Sequence, residues 1–292
     1  MANSNGWGDG AANNAIGWGQ GANNAIAWGD SHAKSWAGAT DIVGLTTDPD
    51  AQAFITAAAI TDPTQQLAID NLVKGLKSDN IWTKMKAIYP FVGGTATTHK
   101  YNLKDPRDLD AAFRLVFNGG WTHSSNGATP NGTNGYADTK LQPLSVLAQN
   151  NSHLSYYSRT NQANGNFIEI GTESPDFLLW YKAFNLTRGN VDGSMDYTPT
   201  VASTQGFLLA SKYSTSQGLM QYNGAQQLKT GVSGNTRGAK NIYLAALNST
   251  GAAYYSSKQV AFSSIGDGLT DTEAANLYTR VQAYQTALSR NL

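Results

Sequence analysis

The sequence has no cysteine, which excludes disulfides, zinc–thiolate centres and thiol catalysis. It is also poor in charge. Only 14% of its 292 residues are Asp, Glu, Lys or Arg, against about 25% in an ordinary soluble domain. The formal net charge is zero, with no basic block. Nucleic acid and anionic membrane are held by clustered Lys and Arg, so neither is expected as a partner. No apolar run approaches the roughly 20 residues of a membrane span. The opening Met-Ala-Asn-Ser-Asn-Gly carries neither the basic nor the apolar part of a secretory signal, so synthesis in a cytoplasm without membrane insertion is expected. On that reading the Asn-x-Ser/Thr triplets at Asn131, Asn150, Asn185 and Asn248 are coincidental. Neutral Asn, Gln, Ser, Thr and Gly take the place of charge and suit contact with neutral polar material.

The N-terminal segment is built from glycine, asparagine and alanine punctuated by tryptophan. Asn13-Asn14-Ala15-Ile16-Gly17-Trp18-Gly19 is followed at a period of ten by Asn23-Asn24-Ala25-Ile26-Ala27-Trp28-Gly29, with Trp7 in a degenerate first copy and Trp36 in a shortened last one. Ordering such a segment costs about 1–2 kcal/mol of backbone entropy per residue, and its few aliphatic side chains cannot offset that. Low-complexity disorder accounts for the Gly and Asn, but not for Trp at a fixed spacing. Docking on another polypeptide accounts for both. Trp7, Trp18, Trp28 and Trp36, with Ile16 and Ile26, are therefore the expected anchoring residues of a tail spanning 1–44.

A helical region is expected over 45–90. Asp48-Pro49 and Asp62-Pro63 each read as an N-cap followed by proline at the first helical position. Ile69, Leu72, Val73 and Leu76 then fall at i, i+3, i+4 and i+7. A third helix is expected over 80–88, stopped by Pro90. From 91 the pattern changes to short apolar or alternating runs, at 113–117, 154–159, 166–170, 177–183, 206–212, 219–222, 242–247 and 259–262. Asn-Gly pairs at 118, 126, 131, 134, 164 and 223 separate many of these and favour tight antiparallel reversals. The predicted fold over 91–292 is mainly β, an antiparallel β-sandwich. Thr270 and Glu273 form a capping box for a C-terminal helix with Leu277, Val281, Tyr284 and Leu288 on one face, packed on a sheet edge, on the helices of 63–88, or in an oligomeric seam.

Little chemistry is legible. Glu169-Ile170-Gly171-Thr172-Glu173 is the string nearest to the alternating carboxylates of a sandwich glycosidase, but Gly171 stands where the central carboxylate belongs. Solvated strand-end carboxylates are the expectation, and no catalytic residue is assigned. Asp192 and Asp196 offer oxygen ligands for calcium, but Asp192-Gly193 is also an ordinary turn pair, and no metal or cofactor is assigned. The histidines, His32, His99, His123 and His153, have no i, i+4 pair, and no glycine-rich string carries the Lys-Ser/Thr of a phosphate loop. Carbohydrate recognition needs aromatic faces and short polar side chains. Trp121 and His123 in a Gly/Asn/Ser-rich stretch, with the loop residues Tyr136 and Tyr197, are the expected contacts. The other aromatics in view are Tyr156, Tyr157, Trp180, Tyr181, Tyr222, Tyr254 and Tyr255, of which Trp180 is expected in the core.

Gly218-Leu-Met-Gln-Tyr-Asn-Gly-Ala-Gln-Gln-Leu-Lys-Thr-Gly231, Asn241–Asn248 and Leu269-Thr270-Asp271-Thr272-Glu273 resemble the hairpin, late strand and helix start of laminin-G-like, concanavalin-type lectin and glucanase sandwiches, over about 150–292. Ile81–Gly94, Trp121–Gly127 and Ile265–Asn276 resemble strings of virion fibre, spike or collar proteins of bacteriophages infecting Bacteroidota, and the Trp-Gly tail resembles their virion-attaching segments. The resemblance implies a concanavalin-like sandwich (jelly roll) in a non-enzymatic structural protein of the virion. Its tail would bind other virion proteins, its distal domain would adhere to a host cell-surface glycan, and it would assemble as a homotrimer. A purely structural decoration protein and a polysaccharide depolymerase remain as alternatives, while the missing signal sequence disfavours a cellular adhesin.

Overall fold

In the computed structural model, residues 47–162, 167–173, 175–182, 186–197, 201–232, 234 and 236–292 are described, and they fall in one compact unit from Asp48 to Leu292. The expected anchoring residues of the tail lie outside the described residues. Asp48 and Asp62 cap α1 (Pro49–Ala57) and α2 (Pro63–Ser78): their carboxylates accept from the N–H groups of Asp50 at 2.9 Å and Gln65 at 3.0 Å. The helix expected over 80–88 is not formed. After one 3₁₀ turn at Trp82–Lys84 the chain becomes β1 (Met85–Tyr89). Ile88 packs toward the helices while Ala87 and Tyr89 pack toward the opposite side, a period-two pattern that only a strand buried on both faces satisfies.

Two sheets follow. The first comprises β1, β3 (Trp121–Ser124), β4 (Gly127–Pro130), β6 (Ser152–Ser158), β11 (Gly206–Lys212), β12 (Gln217–Tyr222), β13 (Ala225–Thr230) and β17 (Val260–Gly266), in the order β13-β12-β11-β6-β17-β4-β3, with β1 also on β17. The second comprises β2 (Val116–Asn118), β5 (Tyr136–Asp138), β7 (Ile170–Thr172), β8 (Phe177–Lys182), β9 (Leu186–Asn190), β10 (Ser194–Tyr197) and β14 (Tyr243–Leu244), in the order β10-β9-β8-β7-β14-β5-β2. In it β15 (Leu247–Asn248) lies parallel to β7 and carries β16 (Ala252–Ala253). The fold is thus the expected mainly β antiparallel sandwich with a helical region, the one-turn helices α3 (Ala96–His99) and α4 (Pro143–Val146), and a C-terminal helix, α5 (Asp271–Ala287). The Asn223-Gly224 pair turns β12 into β13 with φ of 45° and 85°, the left-handed pair that a two-residue hairpin requires.

Alternation along the strands makes three layers. Phe207 and Leu209 face the helices, while Leu208 and Ala210 face the second sheet. In β17 the bulge between Val260 and Phe262 puts Ala261 and Phe262 on the helix side together. The helix side is filled by α1, α2 and α5 through Phe54, Ile69, Leu72, Val73, Leu277 and Val281, so the segment 45–90 contributes two helices and a strand to the same unit as the sandwich. Of the placements open to α5, the one found is against α2 and the face of the first sheet, with Arg280 bonded to Asp79 at 2.7 Å. The fully buried Arg290 then fastens the chain end, its guanidinium donating to the carbonyls of Phe91, Pro90 and Ala261 at 2.7, 3.2 and 3.1 Å. Between the sheets, Gly189 admits a close approach: a Cβ there would sit 2.4 Å from Ala210 and 2.6 Å from the Met220 sulfur.

On the helix side of the first sheet, His153, Ser155 and Ser264 form an internal hydrogen-bonded chain. His153 Nδ1 lies 2.6 Å from the Asp267 carbonyl, which only accepts, so Nδ1 carries the proton and Nε2 accepts from Ser264 at 3.1 Å. Ser155 and Ser264 are bonded at 2.6 Å. Burial pushes His153 down to about 4 from its ordinary 6.5, and burial, together with the charges of His123 and Arg290, takes His99 down to about 3. Both pKa values fall on folding, so the unfolded chain binds more protons between the two limits. The stability these histidines confer is complete above pH about 6.5 and is lost as pH falls toward 4 and then 3. Urea titrations from pH 7.5 to 4 are expected to show falling stability, with a shallower slope in His153→Gln; equal slopes in variant and wild type would contradict the assignment.

Candidate functional site

The structure places the four residues expected to touch a glycan at separate positions in the sandwich. Trp121 on β3 donates its indole N–H to the carbonyls of Asn118 and Tyr136, at 3.0 and 3.2 Å. His123 bonds His99 through their Nδ1 atoms at 2.9 Å, with Phe117 edge-on at 4.7 Å and Trp121 stacked at 6.1 Å. Burial lowers the His123 pKa. Tyr136 is on β5, half-buried and stacked on Tyr243 at 4.5 Å. Trp121 and His123 therefore meet Phe117 of β2, with Trp121 Nε1 and His123 Nδ1 bonded inside the protein, while Tyr136 lends this cluster its carbonyl and turns its ring to Tyr243. Tyr197 is neither near them nor on the surface. It lies on β10, 4% exposed in the intersheet core, with its ring 6.2 Å from Tyr222. The loop expected at 197 is a strand end, and alternation turns Met195 and Tyr197 inward together.

The carboxylates are also placed differently from expectation. Glu169 is not solvated: it is fully buried with Lys258, Oε1 to Nζ 2.7 Å, and both side chains are within 1% of complete burial. Its other oxygen accepts the Tyr181 N–H at 2.8 Å, and Lys258 lies over the rings of Phe167 and Tyr181 at 5.0 and 6.0 Å. Burial raises the Glu169 pKa, and the charge and hydrogen bond of Lys258 oppose the rise. Asp192 holds Arg237 in a second buried pair and accepts from the Asn150 N–H and the Ser152 hydroxyl, both at 3.0 Å, while Asp196 holds Arg188 at 2.6 Å. Their oxygens are committed to protein donors. No group of three metal-ligating side chains occurs among the described residues.

A groove opens on the outer face of the second sheet. In β8, Phe177, Leu179 and Tyr181 face the first sheet, while Leu178 and Trp180 face outward. Trp180, expected in the core, is half-buried on that outer face, beside Ile168, Leu178 and Leu247. Tyr254, just after β16, completes the wall. It is 52% exposed and holds a left-handed backbone, φ 54°, which is costly for a bulky residue. That backbone is locked: the Tyr254 carbonyl accepts from the Ile168 N–H at 3.0 Å, and Tyr255 bridges Ile168 in parallel. Glu173 and Asp176 supply the polar rim, and the groove encloses about 240 Å³. Glu173 is steered by its own N–H, bonded to the Asn248 carbonyl at 3.0 Å, and by the Ser249 hydroxyl on its carboxylate.

The buried pair organises this wall from behind. Glu169 sits at a bend between Ile168 and Ile170, so its side chain turns inward while that of Ile168 turns outward. Through the Tyr181 N–H the same carboxylate holds the residue after Trp180. Both apolar parities of 177–181 fit a buried strand, which leaves the outward face of Trp180 ambiguous in sequence, and a separation of 89 positions hides the pairing of Glu169 with Lys258. Tyr254 carries no sequence signal of its left-handed backbone.

Lys258→Met leaves Glu169 buried without its counter-ion and is expected to cost about 3–5 kcal/mol in urea unfolding. Lys258→Met with Glu169→Leu is expected to recover part of this, short of the whole because the Tyr181 N–H then loses its acceptor. A single variant within about 1 kcal/mol of wild type would contradict the pairing.

No family model matches the sequence, and no curated protein matches it. Among solved structures it is similar to domain 4 of an extracellular family 43 arabinanase from Geobacillus stearothermophilus, solved with arabinotriose, at 14% identity and a TM-score of 0.42, covering 66% of this chain and 98% of that one. It is similar to the Trypanosoma rangeli sialidase solved with sialic acid, at 14% identity and a TM-score of 0.46, covering 72% of this chain and 38% of that one. The binding domain of botulinum neurotoxin serotype G is matched at 12% identity and a TM-score of 0.42, covering 67% of this chain and 50% of that one. The chain thus spans well under half of the sialidase and half of the toxin domain. The likeness to these proteins is one of fold.

Proposed function

We propose that the chain is a non-enzymatic adhesion protein whose sandwich holds a saccharide in the outer groove of the second sheet and whose N-terminal tail fixes it to a phage virion. The groove carries the first half of this reading. An indole face and an exposed tyrosine on a left-handed backbone offer apolar surface to the C–H side of a sugar ring, and Glu173 and Asp176 accept from its hydroxyls. Neutral polar surfaces and a shallow site suit weak contacts made firm by repetition, as in an oligomeric appendage. A hydrolase reading finds less support, because the oxygens of Glu169 are committed to Lys258 and the Tyr181 N–H. The Trp repeat at a period of ten, with the resemblance of the tail to virion-attaching segments, supports the second half.

A panel of immobilised glycans is expected to show binding by the full chain. Trp180→Ala and Tyr254→Ala should each weaken it about tenfold or more, the equivalent of about 1.4 kcal/mol, with little change in thermal stability. Binding by no glycan, or undiminished binding by both variants, would contradict the saccharide reading. Release of reducing ends from a bound polysaccharide, abolished by Glu173→Gln, would replace it with the depolymerase reading. Deletion of 1–44, or Trp18→Ala with Trp28→Ala, is expected to leave a folded protein that no longer enters particles, and normal incorporation of both would contradict the tail's role.

A further inference from the structure

We infer that the groove selects saccharide rings that are uncharged or carry an amino group, and rejects rings bearing a carboxylate. The inference rests on the groove's being a saccharide site. The only charged side chains lining it, among the described residues, are Glu173 and Asp176. Ionised carboxylates accept hydrogen bonds and donate none, so the ligand edge that meets them must present hydroxyl or ammonium hydrogens. A ligand carboxylate there would meet like charge without a donor to bond. One cation beside the rim, Lys240, donates to the carbonyl of Ser249 at 2.6 Å, and the hydroxyl of the same serine bonds Glu173. Trp180, Arg188 and Asp196 stand in register across β8, β9 and β10, and so share the outer face of the sheet. Arg188 lies within the field of Asp176, yet its guanidinium is held in two bonds to Asp196, at 2.6 and 3.2 Å. This side-on pair uses two of the five guanidinium N–H donors and sets a carboxylate against its charge, which weakens the pull of Arg188 on an incoming acid.

Size adds a second limit. At about 240 Å³ the groove is smaller than the roughly 300–1,000 Å³ of an ordinary small-molecule site. It holds a single ring, with the remainder of a glycan passing out over Tyr254. Glu173 and Asp176 are therefore specificity-determining residues that read one ring, and Asp196 is a positioning residue that withdraws Arg188 from recognition.

The test compares ligands that differ only in charge. Methyl glucoside, galactoside and mannoside, methyl glucosaminide, and the matching methyl uronides are titrated into the full chain by calorimetry at low salt. At least one neutral or amino glycoside is expected to bind, with its uronide at least tenfold weaker, and the gap should narrow as salt screens the carboxylates. Glu173→Gln with Asp176→Asn should narrow it without added salt, and Asp196→Asn, which frees Arg188, should raise uronide affinity. A uronide that binds as tightly as its neutral counterpart overturns the inference and leaves the saccharide reading standing. Failure of every glycoside to bind overturns both.

Discussion

A carboxylate and an ammonium sealed in the second sheet, Glu169 and Lys258, connect the fold to the groove. Neither ion can leave its partner without exposing an uncompensated charge to a dry interior, so the bend at 169 and the end of β8 are held against each other. That constraint decides which residues look outward. Ile168, which precedes Glu169, and Trp180, which precedes the Tyr181 bonded to it, lie on the outer face, while Ile170 and Tyr181 lie within. The charged pair and the apolar wall are two sides of one arrangement, because the bend that turns Glu169 inward beside Ile170 leaves Ile168 facing outward.

The three-layer build explains why the second sheet, rather than the first, carries an open face. The first sheet is covered on both sides, by the helices and by the second sheet, and every residue of β6, β11 and β17 is buried. On those strands buried polar side chains bond one another, as in the His153–Ser264–Ser155 chain. The second sheet shares its inner face with the first, and on its outer face presents Trp180, Arg188, Asp196 and the groove. Large aromatic and bidentate charged groups on that face stand where a ligand can reach them.

The sequence makes the local physics legible and the parity illegible. Asp-Pro caps, the Thr270–Glu273 box, the Asn223-Gly224 hairpin and the strand at 206–212 are short-range matters of donor, acceptor and backbone torsion, and they form as the residues imply. The segment 80–88 misleads because Met85, Ala87, Ile88 and Tyr89 satisfy a helix as well as a doubly buried strand until β17 is placed beside them. Trp180 misleads because, in a run with aromatics at both parities, only the position of the opposite sheet decides which are inside, and Tyr197 misleads because the turn pair Asp192-Gly193 is followed at once by a strand. Trp121 and His123 were legible as a cluster, but not as one that turns its polar atoms inward. The buried pairs Glu169–Lys258 and Asp192–Arg237 join residues dozens of positions apart, and no local pattern announces them.

The most direct test is an assigned ¹H–¹⁵N spectrum of the full chain, recording its seven indole N–H signals during titration with a neutral methyl glycoside. The expected result is a saturable shift of the Trp180 indole and of the Tyr254 and Glu173 amides, with the Trp121 and Trp82 indoles unmoved. Shifts centred on Trp121 and His123 with Trp180 silent would place the ligand at the closed end of the sandwich and contradict the groove as the binding site.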